Sequence, residues 1–454
     1  MTEPALALVV LAAGKGTRMR SDLPKVLHKV AGAPLLHHAL RAGAALRPAR
    51  VVVVAGHDAE AVEASARALL ADALTVRQEP QLGTAHAVLQ AAPALAGVAG
   101  DALVLYGDTP FIAPETLARM LDARRAGAGV VVLGFEAAEP GRYGRLVMAG
   151  DRLERIVEAK DATPEELAIR FCNSGVLCAD AATLLRLAGA VGNANASGEF
   201  YLTDIVALAN AEGLACTAIA CTEAETMGVN SRADLAAAET AFQARARAEA
   251  MAGGATLTAP ETVFLAFDTE LGRDVTIGPN VVFGPGVRVA DGADVRAFCH
   301  LEGCTVAPGA TVGPFARLRP GAAVGAGAHV GNFVEIKQAT LGEGAKVNHL
   351  SYIGDASVGA RSNIGAGTVT CNYDGVSKHR TEIGADVFVG SDTMLVAPVR
   401  LGDGAVTGSG SVITQDVPAG ALALGRARQV TKPGLGARLM ARLREMAGKG
   451  RDGA

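Results

Sequence analysis

The sequence predicts an α/β protein of two unlike halves and one joining helix: a largely parallel sheet covered by helices, then a parallel β-helix of six-residue repeats. Three observations carry that prediction. Apolar runs alternate with helix-like segments from residue 1 to about 230. Ala, Leu, Glu and Arg dominate residues 231–251. Beyond them an aliphatic or aromatic residue, commonly followed by glycine, returns at every sixth position. A chain of 454 residues is too long for one hydrophobic core. The expected domains are 1–230 and 252–454, with 231–251 as the linker helix.

In the first half the runs "ALALVVLA", "RVVVVAG", "DALVLYGD", "GVVVLGF" and "ACTAIAC" read as strands. Nearly unbroken Val, Leu and Ala means a strand covered on both faces, and alternation with helices means parallel crossover connections. The first run is only about ten residues long, has an acidic rather than basic flank, and ends in a glycine loop. It is expected to be a buried strand, not a signal peptide or a membrane span. Ser231 stands three residues before Asp234, a capping box, and the residues after it sustain a helix of about twenty residues.

The hexad positions run Leu265, Leu271, Ile277, Phe283, Val289, Val295 and Leu301. After a one-residue slip they resume as Val306, Val312, Leu318, Val324, Val330 and Ile336, and later as Ile383, Val389, Leu395, Leu401, Thr407 and Ile413. Such a register is the mark of a parallel β-helix, in which each turn lays its apolar residues inside and stacks on the next. Glycine-rich low complexity would not keep aliphatics in phase. The absence of Trp and an aromatic content of 4% suit a narrow core. The phase breaks once conspicuously, where thirteen positions separate Thr370 from Ile383. The surplus, "CNYDGVSKHRTE", is polar, aromatic and basic, and a solenoid extrudes such an insertion as a loop. The C-terminal "GARLMARLREMAGKGRDGA" reads as a short amphipathic helix and a frayed, mixed-charge tail.

A net charge of −4 argues against a broad nucleic-acid-binding face, so any anion should be held locally. Seven cysteines, an odd number without a C-x-x-C pair, suit reduced cytosolic thiols better than disulfides or zinc. One local concentration of charge stands out. "LAAGKGTRMRSDLPKVLH", Leu11 to His28, carries Lys15, Arg18, Arg20 and Lys25, with Lys29 just beyond, against the single carboxylate of Asp22. Gly14 and Gly16 lie where a strand should turn, so backbone N–H groups could face an anion. The stretch lacks both the G-K-[ST] of a Walker loop and the third glycine of the dinucleotide fingerprint. Cations gathered so closely call for something negative, and a polyphosphate fits.

Together with "QLGTAHA" (Gln81–Ala87) and "LYGDTP" (Leu105–Pro110), this stretch resembles the sugar-1-phosphate nucleotidylyltransferases. The second half adds "RLRPGA", "VGNFVEIK", "NHLSYIGD", "IGAGTVTCNYDG" and "VGSDTMLVAP". With these the chain is similar, over nearly its whole length, to the bacterial family of bifunctional N-acetylglucosamine-1-phosphate uridylyltransferases and glucosamine-1-phosphate acetyltransferases. The resemblance implies a Rossmann-like nucleotidylyltransferase domain followed by a left-handed β-helix. It also implies a cytoplasmic homotrimer with sites shared between subunits, and no nucleic-acid or membrane partner. The implied reactions are acetylation of glucosamine-1-phosphate by acetyl-CoA in the second half, then uridylyl transfer from UTP to N-acetylglucosamine-1-phosphate in the first. The products are pyrophosphate and UDP-N-acetylglucosamine, a precursor of peptidoglycan and lipopolysaccharide.

By that resemblance Leu11, Ala12, Ala13 and Gly14 hold the nucleotide through backbone groups, while Arg18 and Lys25 neutralise the transferring phosphate and the leaving group. Gln78, Gly83 and Thr84 contact the uracil, with Tyr106 and Gly107 nearby. Asp108 ends the strand "ALVLYGD", where open α/β sheets place ligand-binding groups. With Asn230 it matches the ligands of Mg2+, a hard cation that prefers oxygen. Gly144, Glu158 and Asn173 match sugar-binding positions.

In the second half the attacking amine must be deprotonated, and a histidine, with an ordinary pKa of about 6.5, is the obvious base. His349 matches the family's proton acceptor and Tyr352 a substrate contact. Arg319 and Lys337, eighteen residues apart, stand one full turn of three hexads apart, where two cations can grip one phosphate. Asn363 matches a further sugar contact, and Ala366, Asn372, Tyr373, Ser391, Ser409 and Arg426 match acetyl-CoA contacts. Position 409 departs from the family pattern, which has alanine; a backbone contact would survive the serine. No cysteine falls at a base-matched position, which favours direct transfer to the amine. Two rival readings use the same motifs. A nucleotidylyltransferase with a merely trimerising β-helix is disfavoured by His349 with Arg319, Lys337 and the 371–382 loop. A sensor without turnover is disfavoured by Arg18, Lys25, Asp108 and Asn230 occurring together.

Overall fold

The computed structural model describes residues 4–449. The end of the mixed-charge tail expected from the sequence, residues 450–454, lies outside the described residues. The chain divides into two compact units: Met1–Ala252 with Phe264–Thr269 and Phe283–Pro285, and Gly253–Val263 with Glu270–Val282 and Gly286–Ala454.

The first unit is built on a nine-stranded sheet. Its strands are β1 (Ala5–Ala12), β2 (Arg50–Ala55), β3 (Leu74–Arg77), β4 (Gly100–Tyr106), β5 (Val130–Glu136), β6 (Arg145–Ala149), β7 (Arg152–Val157), β8 (Phe171–Asp180) and β9 (Cys216–Cys221). Across the sheet they run β9-β5-β8-β4-β1-β2-β3, with the β6–β7 hairpin beside β8. β1 pairs in parallel with β2 and β4, whereas β8 runs antiparallel to β4 and β5. The apolar composition of β1 has a direct cause. Ala7, Val9 and Leu11 enter one core, while Leu6, Leu8, Val10 and Ala12 enter the core on the opposite face. The chain leaves β1 toward β2 on one side and returns as β4 on the other. That reversal opens a crevice at the carboxyl ends of β1 and β4, the place where open α/β sheets bind ligands.

The connecting helix spans Arg232–Ala252. Its start is closed reciprocally: Asp234 N–H donates to Ser231 Oγ at 3.2 Å, and Ser231 N–H donates to Asp234 Oδ2 at 2.9 Å.

The second unit is a stack of parallel two- to seven-residue strands. Ile277, Val295, Val312, Val330, Val347, Ile364 and Val389 pair in succession up one face, each one turn above the last. All the hexad positions named above are buried except Leu271, which is half-buried. One-residue slips after Ile336 and Ile353 fall within the continuous strands Glu335–Leu341 and Tyr352–Val358. The insertion leaves the stack between the strands Val369–Cys371 and Thr381–Ile383, and residues 373–378 are exposed. A 15-residue helix, Leu435–Lys449, follows the solenoid. All seven cysteines are free.

Candidate active sites

In the first unit the turn after β1 and the end of β4 line a cleft of about 400 Å³. Leu11, Ala12, Ala13 and Gly14 form one wall, Gln78, Gly83 and Thr84 another, and Tyr106 and Asp108 the floor, with Lys15 and Lys25 at the edge. Gln78 is buried, and its Nε2 donates to the Gly83 carbonyl at 2.8 Å, which fixes that wall. Position 83 must be glycine, because its φ is +122° and a Cβ there would lie 2.5 Å from the Phe200 carbonyl oxygen. Gly107 N–H donates to the Leu11 carbonyl at 2.9 Å, joining the ends of the two strands.

Lys25 is the electrostatic centre of the cleft. Its Nζ is ion-paired with Asp108 Oδ2 and donates to Asn230 Oδ1 at 3.0 Å. Val229 N–H donates to the Asp108 carbonyl at 2.9 Å, so the two oxygen-bearing residues are held in register by the backbone. Asp108 and Asn230 therefore converge on one cation. Two hard oxygen donors around a shared point suit Mg2+, which fills its remaining positions with phosphate and water. Among the described residues no group of three or more His, Cys, Asp and Glu gathers as a metal cage.

The sugar-matched residues also come together. The position a Cβ would take at Gly144 is 3.4 Å from Glu158 Oε1 and 3.6 Å from Asn173 Cβ. Asn173 N–H donates to the Gly144 carbonyl at 2.8 Å, and its Oδ1 accepts from Gly175 N–H at 2.9 Å, leaving the side-chain amide nitrogen as the donor it can offer. Glu158 accepts from Thr203 Oγ1 at 3.3 Å. Burial raises the Glu158 carboxyl above its ordinary pKa, against the lowering effect of that hydrogen bond. Burial raises Tyr106 as well, aided by the charges of Asp108 and Glu158.

The cations of the opening stretch do not form one cluster. Lys25 turns inward, whereas Arg18, Arg20 and Lys29 are exposed, and Arg18 makes no hydrogen bond or ion pair among the described residues. The reason lies in the backbone: the 3-10 turn Thr17–Met19, closed by left-handed Gly16 and Arg20, buries Met19 and so faces Arg18 outward.

In the second unit His349 lies at the end of the strand Lys346–His349, beside Asn332 on the preceding turn. Its Nδ1 donates to Asn332 Oδ1 at 2.7 Å, which leaves Nε2 as the nitrogen open to exchange a proton. Around the corner, Arg319 and Lys337 occupy one column, since Leu318 pairs with Ile336 and Arg319 N–H donates to the Ile336 carbonyl at 2.9 Å. Glu335 holds the Arg319 guanidinium at 2.8 Å. Lys337 pairs in turn with Gly354, and a Cβ at 354 would lie 2.3 Å from the Tyr352 hydroxyl. The missing side chain thus lets Tyr352 fold over position 354, beside Lys337.

Asn363 sits one turn above Lys346. Asn372 is buried at the root of the extruded loop, where its Nδ2 donates to Asp355, and Tyr373 is 60% exposed. Asp392 N–H bonds the Ala366 carbonyl at 2.7 Å and Gly410 N–H bonds the Ser391 carbonyl at 2.8 Å. Ala366, Ser391 and Ser409 consequently rise along one corner toward the exposed Arg426. Sequence reasoning missed Asn332, Glu335 and Gly354. Asn332 and Glu335 stand seventeen residues before His349 and Tyr352, and that one-turn spacing is the signal that points to them.

Residues 8–170 match the MobA-like NTP transferase domain, and residues 380–415 match the bacterial transferase hexapeptide (six repeats). Among similar proteins are three called bifunctional protein GlmU. That of Cereibacter sphaeroides is 68% identical over 440 residues, 97% of each chain. That of Dinoroseobacter shibae is 67% identical over 439 residues, 97% of this chain and 98% of its own. That of Paracoccus denitrificans is 64% identical over 448 residues, 99% of this chain and all of its own. The chain belongs to the GlmU family of bifunctional enzymes, with a nucleotidyltransferase domain ahead of a hexapeptide acyltransferase domain.

Proposed function

We propose that residues 1–230 carry uridylyl transfer, that 252–454 carry acetyl transfer, and that the product of the second reaction is the substrate of the first. The observation that carries this reading is the convergence of Lys25, Asp108 and Asn230 beside the backbone wall Leu11–Gly14. In uridylyl transfer a phosphate oxygen of N-acetylglucosamine-1-phosphate attacks the α-phosphorus of UTP, and the bond to the β-phosphate breaks to release pyrophosphate. Two anions meet and a third leaves, so cationic groups and N–H donors aimed at the phosphates lower the barrier. Lys25 neutralises the transferring phosphate. Arg18 supplies charge from the exposed turn to the leaving group. Gln78, Gly83 and Thr84 enclose the uracil, Tyr106 and Gly107 border the ribose side, and Gly144, Glu158 and Asn173 orient the sugar. Mg2+ held by Asp108 and Asn230 supplies further neutralisation of phosphate charge when bound.

In acetyl transfer the amine of glucosamine-1-phosphate attacks the thioester carbonyl of acetyl-CoA, and the carbon–sulfur bond breaks to release CoA. His349 Nε2 takes the amine proton, with Asn332 holding the ring in the required tautomer. Arg319 and Lys337 bind the sugar phosphate, with Tyr352 and Asn363 beside it. Ala366, Asn372, Tyr373, Ser391, Ser409 and Arg426 bind acetyl-CoA.

The homotrimer is supported by one corner of the solenoid. Phe298, Phe315 and Phe333 stack with centroids 4.9 and 5.3 Å apart. All three have positive φ, are 45–56% exposed, and lead to Leu350 at 64%. Aromatic residues exposed in a strained backbone state make a surface suited to burial against another copy. The count of three comes from the family resemblance, as does the cytoplasmic location; no described helix is long and apolar enough to cross a membrane.

Two assays test this reading. With Mg2+, UTP and N-acetylglucosamine-1-phosphate the chain should release pyrophosphate. With acetyl-CoA and glucosamine-1-phosphate it should liberate free thiol. Failure of either reaction would refute the corresponding assignment.

A further inference from the structure

His28 closes the cationic stretch, and neither proposed reaction uses it. It is 5% exposed, yet Nε2 makes no hydrogen bond of good geometry. A buried polar atom with only the weak backbone interaction of Leu23 costs stability, and leucine would fill similar space without that cost. The other ring nitrogen is engaged, since Nδ1 lies 3.3 Å from Nη1 of Arg232. A guanidinium only donates, so Nδ1 accepts and the imidazole is neutral. Burial, and after it the Arg232 charge, lowers the imidazole pKa against the raising effect of the Leu23 backbone, in accord with that assignment. Arg232 begins the connecting helix two residues beyond Asn230, and its Nε donates to the Met19 carbonyl at 3.3 Å. One guanidinium thus fastens both ends of segment 19–28 to the turn that carries Asn230. Lys25 lies inside that segment, and Arg18 directly precedes it.

We infer that His28 and Arg232 are positioning residues for nucleotidyl transfer, holding the Lys25 loop against Asp108 and Asn230 without touching substrate. The inference rests on the assignment of the first-unit cleft to uridylyl transfer. A misplacement of one ångström in such a site costs about a hundredfold in rate, so the clamp acts on turnover more than on binding.

The test uses the full chain, steady-state pyrophosphate release, and UTP binding by calorimetry as the control for folding of the first unit. Arg232→Met should lower kcat at least about tenfold while UTP affinity stays within about threefold of the parent. His28→Leu should lower kcat in the same sense. His28→Gln, whose side-chain oxygen can accept from the guanidinium, should recover at least about half of that loss. The double variant Arg232→Met/His28→Leu should be no slower than Arg232→Met alone, because the two residues act as one. Losses that multiply in the double variant would overturn the inference. So would equal losses in His28→Gln and His28→Leu, or rates within about twofold of the parent throughout. Should Arg232→Met fail to bind UTP, Arg232→Lys, which keeps the charge and can reach one of the two acceptors, decides by the same kcat criterion. A parent chain that binds UTP yet releases no pyrophosphate with N-acetylglucosamine-1-phosphate would instead remove the assignment of the cleft.

Discussion

Asp108 and Asn230, far apart in the chain, present side-chain oxygens to the same ammonium group, that of Lys25. The shared point exists because Val229 N–H bonds the Asp108 carbonyl, so the turn before the connecting helix is pinned to the end of β4. Lys25→Met removes the cation proposed to stabilise charge in transfer, and pyrophosphate release should fall about 10² to 10³-fold. The same change frees both oxygens, so Mn2+ binding without nucleotide, read by calorimetry, should be at least as tight as in the parent. Weaker binding would show that the two oxygens do not form the cation site.

Glycine at 354 is required for the Tyr352 hydroxyl to lie where a Cβ would otherwise stand. In Gly354→Ala the tyrosine tip must move, and it can do so without disturbing the stack. The KM for glucosamine-1-phosphate should rise about tenfold, as expected for a lost substrate contact, while the unfolding temperature changes little. An unchanged KM would place Tyr352 outside the sugar site.

Asn332 fixes which nitrogen of His349 carries the proton. Asn332→Leu leaves the ring free to rotate and to exchange tautomers. Acetyl transfer should lose about tenfold or more in kcat, within the range typical of general-base contributions. Pyrophosphate release should not change, and a parallel drop in it would point to a general loss of structure.

Glu158 gives a pH-dependent stability. Burial raises its folded carboxyl pKa above the unfolded value, so the charged form is the costly one in the folded state. Its contribution is most favourable below the unfolded pKa of about 4.5 and is lost as pH rises through the raised folded value. Glu158→Gln, which carries no charge, should therefore raise the unfolding temperature of the first unit at pH 8, and the gain should vanish toward pH 4. A gain that is constant across this range would assign the effect to packing instead.

Legibility in the sequence followed physical periodicity. The hexads were plain because one apolar residue per strand must enter a narrow core, and Val295, Val312 and Val330 do so one above another. The strands buried on both faces were equally plain, β1 above all. β8 was not, because "FCNSGVLCAD" mixes polar and small residues where Asn173 accepts from Gly175 N–H and a register shift interrupts its pairing with β5. The family motifs placed Lys25, Asp108 and Asn230, but charge counting overstated the cluster around them. Lys25 turns inward to an ion pair while Arg18 and Arg20 flank a buried Met19 and face solvent. The supporting residues Asn332, Glu335 and Gly354 lie inside quoted motifs but were hidden as individuals, because Asn332 and Glu335 act on His349 and Arg319, seventeen and sixteen residues away on a neighbouring turn, and Gly354 acts only by leaving room for Tyr352 two residues before it.

The most direct measurement is a paired assay of Asp108→Ala and His349→Ala in the full chain, each scored for pyrophosphate release and for acetyl-CoA-dependent thiol release. The division of labour predicts that Asp108→Ala abolishes only the first and His349→Ala only the second. Two folded variants that each impaired both reactions to the same extent would contradict it.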